Sequence, residues 1–157
     1  MENKTPTQST ESSSQASTPN FHIHKLYMKD ASFVTHSEVA DFSQAWKPEL
    51  QVEINSKYEQ LPQDKTYEVV LHVKCVVSSH EKKTFEVETD YAGIFTIQNV
   101  DGEQLQHTLG SYCPSLLYPY LREVIADLVL KGGFPQLNLA PINFDLLFEQ
   151  QKKSVVH

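Results

Sequence analysis

An α+β domain, with a four-stranded antiparallel sheet followed by a long and a short helix, is the fold this sequence predicts. Three observations lead to it. Between residues 50 and 91 apolar and polar residues alternate at the period of a strand. After Pro114 the apolar residues recur at the period of a helix. Gly132-Gly133 then divides the helical part in two. A chain of 157 residues has room for one such domain around one core.

Met1 to Asn20 is almost entirely Ser, Thr, Gln, Glu, Asn and Pro. It cannot bury enough apolar surface to offset its ordering entropy, so residues 1–20 are expected to form a disordered tail. Residues 150–157 are expected to fray, which leaves 21–149 as the folded domain. The opening strand, Phe21 to Phe33, slips in phase: Phe21 and Ile23 keep one alternation, Leu26 and Met28 the other. A bulge, or a strand covered on both faces, accounts for such a slip.

Leu50, Val52 and Ile54 interleave with Gln51, Glu53 and Asn55 as a half-buried strand. Tyr67, Val69, Leu71, Val73, Cys75 and Val77 make a longer one, and Phe85, Val87, Thr89 and Tyr91 another. The polar link Ser78 to Lys83 joins these last two as an antiparallel hairpin. Leu117, Leu121, Val124, Ile125 and Leu128 share one helix face, and Pro114 suits a first-turn position. Pro119 lies inside that helix, where a proline removes a hydrogen bond. A second, short helix follows around Phe144, Leu147 and Phe148. The connection from Phe134 to Ile142 is unusually apolar for a loop, and surface of that kind is covered by another subunit or binds something.

A net charge of −7 and a pI near 5.4 disfavour nucleic acid and anionic lipid and favour basic protein segments. No apolar leader opens the chain and no run approaches ~18 apolar residues, so a cytoplasmic protein without membrane insertion is expected. Cys75 and Cys113 sit in no metal-ligand spacing and suit a reducing compartment. Cys113-Pro114 at a helix start is a candidate for a lowered thiol pKa, although no motif places a His or Asn beside it, and a packed thiol is the expectation. His22 and His24 share a strand face, with His72 as a third imidazole, but zinc needs more ligands than the sequence commits. Phosphate-binding, dinucleotide and hydrolase motifs are absent from the sequence; neither catalysis nor a cofactor is expected.

Glu86, Glu88 and Asp90 fall on one face of a strand because side chains repeat every two residues. Such a stripe is either solvated surface or a docking face for a basic peptide. Phe134, Leu137, Leu139, Ile142, Phe144, Leu147 and Phe148 are either core or a groove for apolar client segments, and at least half are expected to be core.

Three long stretches, in order, carry a resemblance. They are Phe134 to Phe148 (FPQLNLAPINFDLLF), Gly110 to Glu123 (GSYCPSLLYPYLRE), and Tyr67 to Leu71 (YEVVL) with Gly93 to Ile97 (GIFTI). With the opening strand and Trp46-Lys47-Pro48, the chain resembles the SecB family of protein-export chaperones. The resemblance implies an ATP-independent chaperone that keeps preproteins unfolded and delivers them to the SecA motor. It implies a homotetramer, a dimer of dimers with long helices between two eight-stranded sheets. It also implies that the zinc-bearing C-terminal tail of SecA docks on the outer sheet face, at positions matching Asp30 and Glu88. Here the sequence departs from the family. Val34 stands where the family usually carries a further acid, and Glu86 where it usually carries an apolar residue. One alternative is a SecB-like chaperone of a toxin–antitoxin system. The other is a small-molecule binding domain or enzyme, which needs a closed pocket with convergent polar groups.

Overall fold

A computed structural model of the chain describes residues 17–155. Most of the expected disordered tail, residues 1–16, lies outside the described residues, as do the last two positions. The sheet has four strands: β1 (Asn20–Thr35), β2 (Pro48–Gln60), β3 (Thr66–Ser79) and β4 (Lys82–Gln98). All neighbours are antiparallel and the spatial order is β1-β4-β3-β2. The phase slip in the opening strand is a pair of irregularities in the β1–β4 register, between Ile23 and Lys25 and between Met28 and Asp30. Each extra residue flips the alternation, which lets Phe21, Leu26 and Phe33 all pack against the core.

The β3–β4 hairpin closes through His80 and Glu81, both with positive φ (52° and 63°). That is the backbone of a tight primed turn, which glycine or asparagine usually supplies. Its strain is offset by a bond from His80 Nε2 to the carbonyl of Ala45, 2.8 Å away.

Helical structure begins twelve residues before Pro114, contrary to the sequence expectation. It runs as α1 (Gly102–His107), a wide π turn (Thr108–Tyr112) and α2 (Cys113–Lys131), with helical dihedrals kept across both junctions. The reason is local: Pro114 has no N–H to give the preceding turn, and its ring crowds that turn's carbonyl. The π turn widens the backbone there, with the Cys113 N–H reaching back to the Thr108 carbonyl. The third helix, α3 (Phe144–Val155), runs past Gln150, where the frayed end was expected to begin.

α2 lies over β4 and β3 and touches β1. Between helix and sheet sit Val69, Leu71, Val73, Cys75, Val77, Phe85, Val87 and Phe95, facing Leu117, Leu121, Ile125 and Val129. β2 extends beyond that cover. Its helix-side residues Leu50, Val52 and Tyr58 are therefore exposed, although they share a face with fully buried β3 residues.

The two glycines that close α2 are required for separate reasons. A side chain at Gly132 would collide with the Phe33 ring. Gly133 takes φ +86°, which disfavours any residue with a Cβ. Gly133→Ala is expected to lower stability by about 1 kcal/mol in urea unfolding, with an unchanged m-value, because nothing crowds the added methyl and the cost is backbone strain alone. An unchanged midpoint would show that the turn relaxes.

Candidate functional site

The sheet face turned away from α2 carries the acidic stripe. Glu86, Glu88 and Asp90 alternate along β4 with the buried Phe85, Val87 and Thr89, as strand periodicity requires. Register adds their neighbours. Asp30 lies opposite Asp90 on β1, Ser32 opposite Glu88, and Val34 opposite Glu86. Val34 and Glu86 are thus cross-strand partners, so the carboxylate absent from Val34 is supplied in the same row by the next strand, about 5 Å away. The row therefore keeps a carboxylate on this face.

The stripe is already partly compensated. His72 on β3 reaches Asp90 through Nδ1 (2.5 Å) and Glu88 through Nε2 (3.3 Å). Glu86 accepts from His36 Nε2 at 2.8 Å and from Lys83 Nζ at 3.1 Å, with Lys74 Nζ 3.9 Å away. The bonds from His36 and then Lys83 hold its carboxyl below the usual carboxylate range. Asp30 differs: its Oδ1 accepts the Ala31 N–H, and among the described residues no cation pairs with it. Like charges facing each other across a strand pair repel, and an incoming ammonium or guanidinium between Asp30 and Asp90 would relieve that repulsion. Towards the other end of the same face, Glu68 accepts from Lys29 (2.6 Å) and from the Tyr27 hydroxyl. Lys57 lines the hollow beside them. Glu59 lines it too, so the face is acidic at one end and carries balanced charges at the other.

A second feature was not singled out as a site from the sequence. The segment between β1 and β2 carries a 3-10 turn (Val39–Ser43) closed by a capping box between Glu38 and Asp41. It folds against the β3–β4 hairpin and the start of the α2–α3 connection, and encloses an aromatic cleft. Phe42, Trp46, Phe134 and Pro135 line it, with Lys82, Lys83 and Asp41 at its polar edge. Phe134 stands at the centre, with ring centroids 4.7 Å from Phe85, 5.8 Å from Phe42 and Trp46, and 6.2 Å from Phe33. Phe42 is 61% exposed and Trp46 40%. Two large aromatics held open to water on a rigid aromatic floor form a surface that gains by covering. Trp46-Lys47-Pro48 contributed to the family resemblance, but the polar setting of Phe42 and Trp46 offered no period by which to pair them with Phe134.

The apolar set named for a groove separates by burial. Phe134, Leu139 and Phe144 are buried in the core; Leu137, Ile142 and Leu147 are half-buried against it, and Phe148 is half-buried beside it. Only Phe134 of the seven lines the aromatic cleft. Tyr118 donates to the Ala140 carbonyl at 2.5 Å and so pins the connection to α2. α3 is held by Asp145, which accepts from Ser111 Oγ (2.5 Å) and bonds His107 Nε2 (2.7 Å); Ser111 and then His107 lower its carboxyl pKa. Phe148 rests where a side chain on Gly110 would stand.

Cys113 is fully buried, the packed thiol that its sequence setting predicts. Cys113 lies within continuous helix instead of at a free N-terminus, so no helix dipole favours its thiolate. Burial pushes its thiol up to about 12 and that of Cys75 to about 11. The His22 and His24 rings meet at 4.5 Å, but His72 is engaged with Glu88 and Asp90. Among the described residues no three ligating side chains converge on a metal position, and no helix is long and apolar enough to cross a membrane.

The family model for SecB, described as preprotein translocase subunit SecB, matches residues 14–155. Two curated proteins named protein-export protein SecB are each 49% identical over 131 residues, covering 83% of this chain and 80% of theirs. One is from Legionella pneumophila subsp. pneumophila (strain Philadelphia 1) and the other from Legionella pneumophila (strain Corby). Among solved structures, the Mycobacterium tuberculosis SecB-like chaperone Rv1957, in complex with a ChAD peptide from the HigA1 antitoxin, matches with a TM-score of 0.63. It is 15% identical and covers 78% of this chain and 90% of that one, which is a likeness of fold.

Proposed function

Because this chain belongs to the SecB family and is a protein-export chaperone, we propose that its aromatic cleft holds apolar segments of unfolded preproteins and its acidic sheet face docks SecA. The observation that carries the first half is the exposure of Phe42 and Trp46 above the buried Phe134. Covering such rings gains about 25 cal/mol per Å² without reading a defined sequence, which suits a chaperone of many clients. Holding of this kind needs no nucleotide and no catalytic group. The 49% identity to export chaperones, against 15% to the antitoxin-bound relative, favours export over service to a toxin–antitoxin pair.

For the second half, the support is the facing pair Asp30 and Asp90 beside Glu88. A basic segment of SecA, such as its zinc-bearing C-terminal tail, satisfies that pair. Each exposed ion pair is worth only ~0–1 kcal/mol, so single neutral changes will register weakly. Asp30→Lys with Glu88→Lys turns attraction into repulsion and is expected to weaken binding of a SecA tail peptide roughly ten-fold or more in low-salt calorimetry. Raising the salt should narrow the gap between variant and parent. Equal affinities at low salt would make this face ordinary solvated surface.

The setting is the cytoplasm and the assembly a homotetramer. Leu50, Val52 and Tyr58 on the uncovered part of β2, with Tyr120 and Leu130 on α2, support it: they are exposed here and suited to burial against other copies. Light scattering coupled to gel filtration is expected to give a mass near four times the 17.9 kDa of one chain. A single-chain mass at micromolar concentration would overturn the assembly.

A further inference from the structure

The acidic face and the aromatic cleft are joined through one side chain. His36 is the first residue after β1, and the next residue, Ser37, lines the cleft. Its imidazole Nε2 bonds Glu86 Oε2 on the sheet face at 2.8 Å. The segment that carries Phe42 and Trp46 has other anchors, on the Thr84 backbone of β4 and on the hairpin, and Asp41 lies 3.9 Å from Lys82 Nζ. The His36 N–H and Ser37 Oγ bond the Thr84 carbonyl (2.8 and 3.2 Å), the Lys47 N–H bonds Ser79 Oγ (3.3 Å), and His80 bonds the Ala45 carbonyl. Among the described residues, His36–Glu86 is the one bond that ties this segment to a carboxylate of the stripe.

We propose that His36 is a positioning residue through which occupation of the acidic face loosens the aromatic cleft. The inference rests on the docking reading above and deepens it. Both Glu86 oxygens are in use, one by His36 and one by Lys83. Each oxygen can accept a further bond, but a cationic group that binds at Oε2 draws on the same acceptor as His36 and can displace it. When His36 is displaced, the segment from Ser37 to Trp46 loses its tie to the stripe and keeps only the bonds at the Thr84 carbonyl and along the hairpin, so the rings above Phe134 are held less firmly. The partner that docks on the face thereby weakens the hold on the client, which is the direction a hand-over requires. By linkage the effect is reciprocal: a client in the cleft weakens docking by the same factor. One exposed hydrogen-bonded pair limits that factor to about two- to ten-fold.

The chain contains a single tryptophan, Trp46, and it lines the cleft, so its emission reports the state of the segment directly. The probes are tetralysine for the face and a short neutral peptide bearing two phenylalanines for the cleft, both added to the full-length chain at low salt. In the parent, saturating tetralysine is expected to red-shift Trp46 emission and to raise the Kd of the phenylalanine peptide about two- to ten-fold. The phenylalanine peptide should raise the tetralysine Kd by the same factor. His36→Ala and Glu86→Leu should each show the shifted emission before any peptide is added, and no coupling afterwards. Glu53→Gln, on the same face but without a bond to the segment, should keep the coupling. If both probes bind and neither changes the Kd of the other, the docking reading stands and the coupling is overturned. Coupling that survives His36→Ala also overturns it. If tetralysine does not bind at low salt, the docking reading and the coupling fall together.

Discussion

Phe42→Ser is expected to weaken the hold on an unfolded client about ten-fold while leaving thermal stability nearly unchanged. The separation of the two effects follows from where the ring sits. Phe42 is 61% exposed in the free protein and stacks on Phe134 with only part of its surface. Removing it costs the fold little, because surface substitutions of this kind usually fall within about 0.5 kcal/mol. In the occupied cleft the same ring is covered by client. Full burial of a phenyl side chain is worth about 1.5–3 kcal/mol, and roughly half remains to be gained here, which is close to one decade in Kd. Calorimetry or competition with a reduced, unfolded preprotein measures the affinity, and differential scanning calorimetry checks the fold. Trp46→Ala should act in the same direction. Parent-like affinity in both variants would place holding elsewhere, with the half-buried Leu137, Ile142, Leu147 and Phe148 next in line.

Phe134→Ala is expected to cost about 3–5 kcal/mol of stability and to abolish holding, in contrast to the separable effect at Phe42. Phe134 is 6% exposed and shares ring contacts with Phe33, Phe42, Trp46 and Phe85. Its deletion leaves a cavity under four aromatics drawn from β1, β4 and the segment before β2, and these cannot all collapse into it. A loss of this size is a large part of the 5–15 kcal/mol typical of a domain. Phe134→Leu keeps most of the volume and should recover most of the stability, while loosening the floor of the cleft. Urea unfolding gives the numbers. A cost below about 1 kcal/mol for the alanine variant would mean that the cluster is surface decoration and not part of the core.

The contrast between these two phenylalanines shows how far the candidate site was legible. Phe134 was selected from the sequence because it opens an apolar connection, and the structure places it at the floor of the cleft. Phe42 is not legible, because its neighbours Asp41 and Ser43 are polar and no period links it to anything. The stripe of Glu86, Glu88 and Asp90 was fully legible, since two-residue alternation alone sets its face. Its partners were not: Asp30 opposite Asp90, His72 beneath both Glu88 and Asp90, and His36 on Glu86 all depend on register between distant strands. The start of the helical part was misread for a local reason. A proline suits the first turn of a helix, and here a π turn absorbs it inside a longer one.

By itself the sequence determined what depends on neighbours in the chain. The strands and their two faces follow from alternation, the irregularity in β1 from its lost phase, and the end of α2 from two glycines. These are properties of ten or so residues, where side-chain period and backbone sterics act without help from the rest of the fold. The tertiary structure alone decided which apolar residues became core and which became an open cleft. It also decided that residues 36 and 86, or 42 and 134, should meet at all. Those pairings arise because β4 lies between β1 and β3 and because one aromatic connection folds back under a distant segment. Packing free energy over the whole domain selects that arrangement, and apolar burial has no direction that a single stretch of sequence can record.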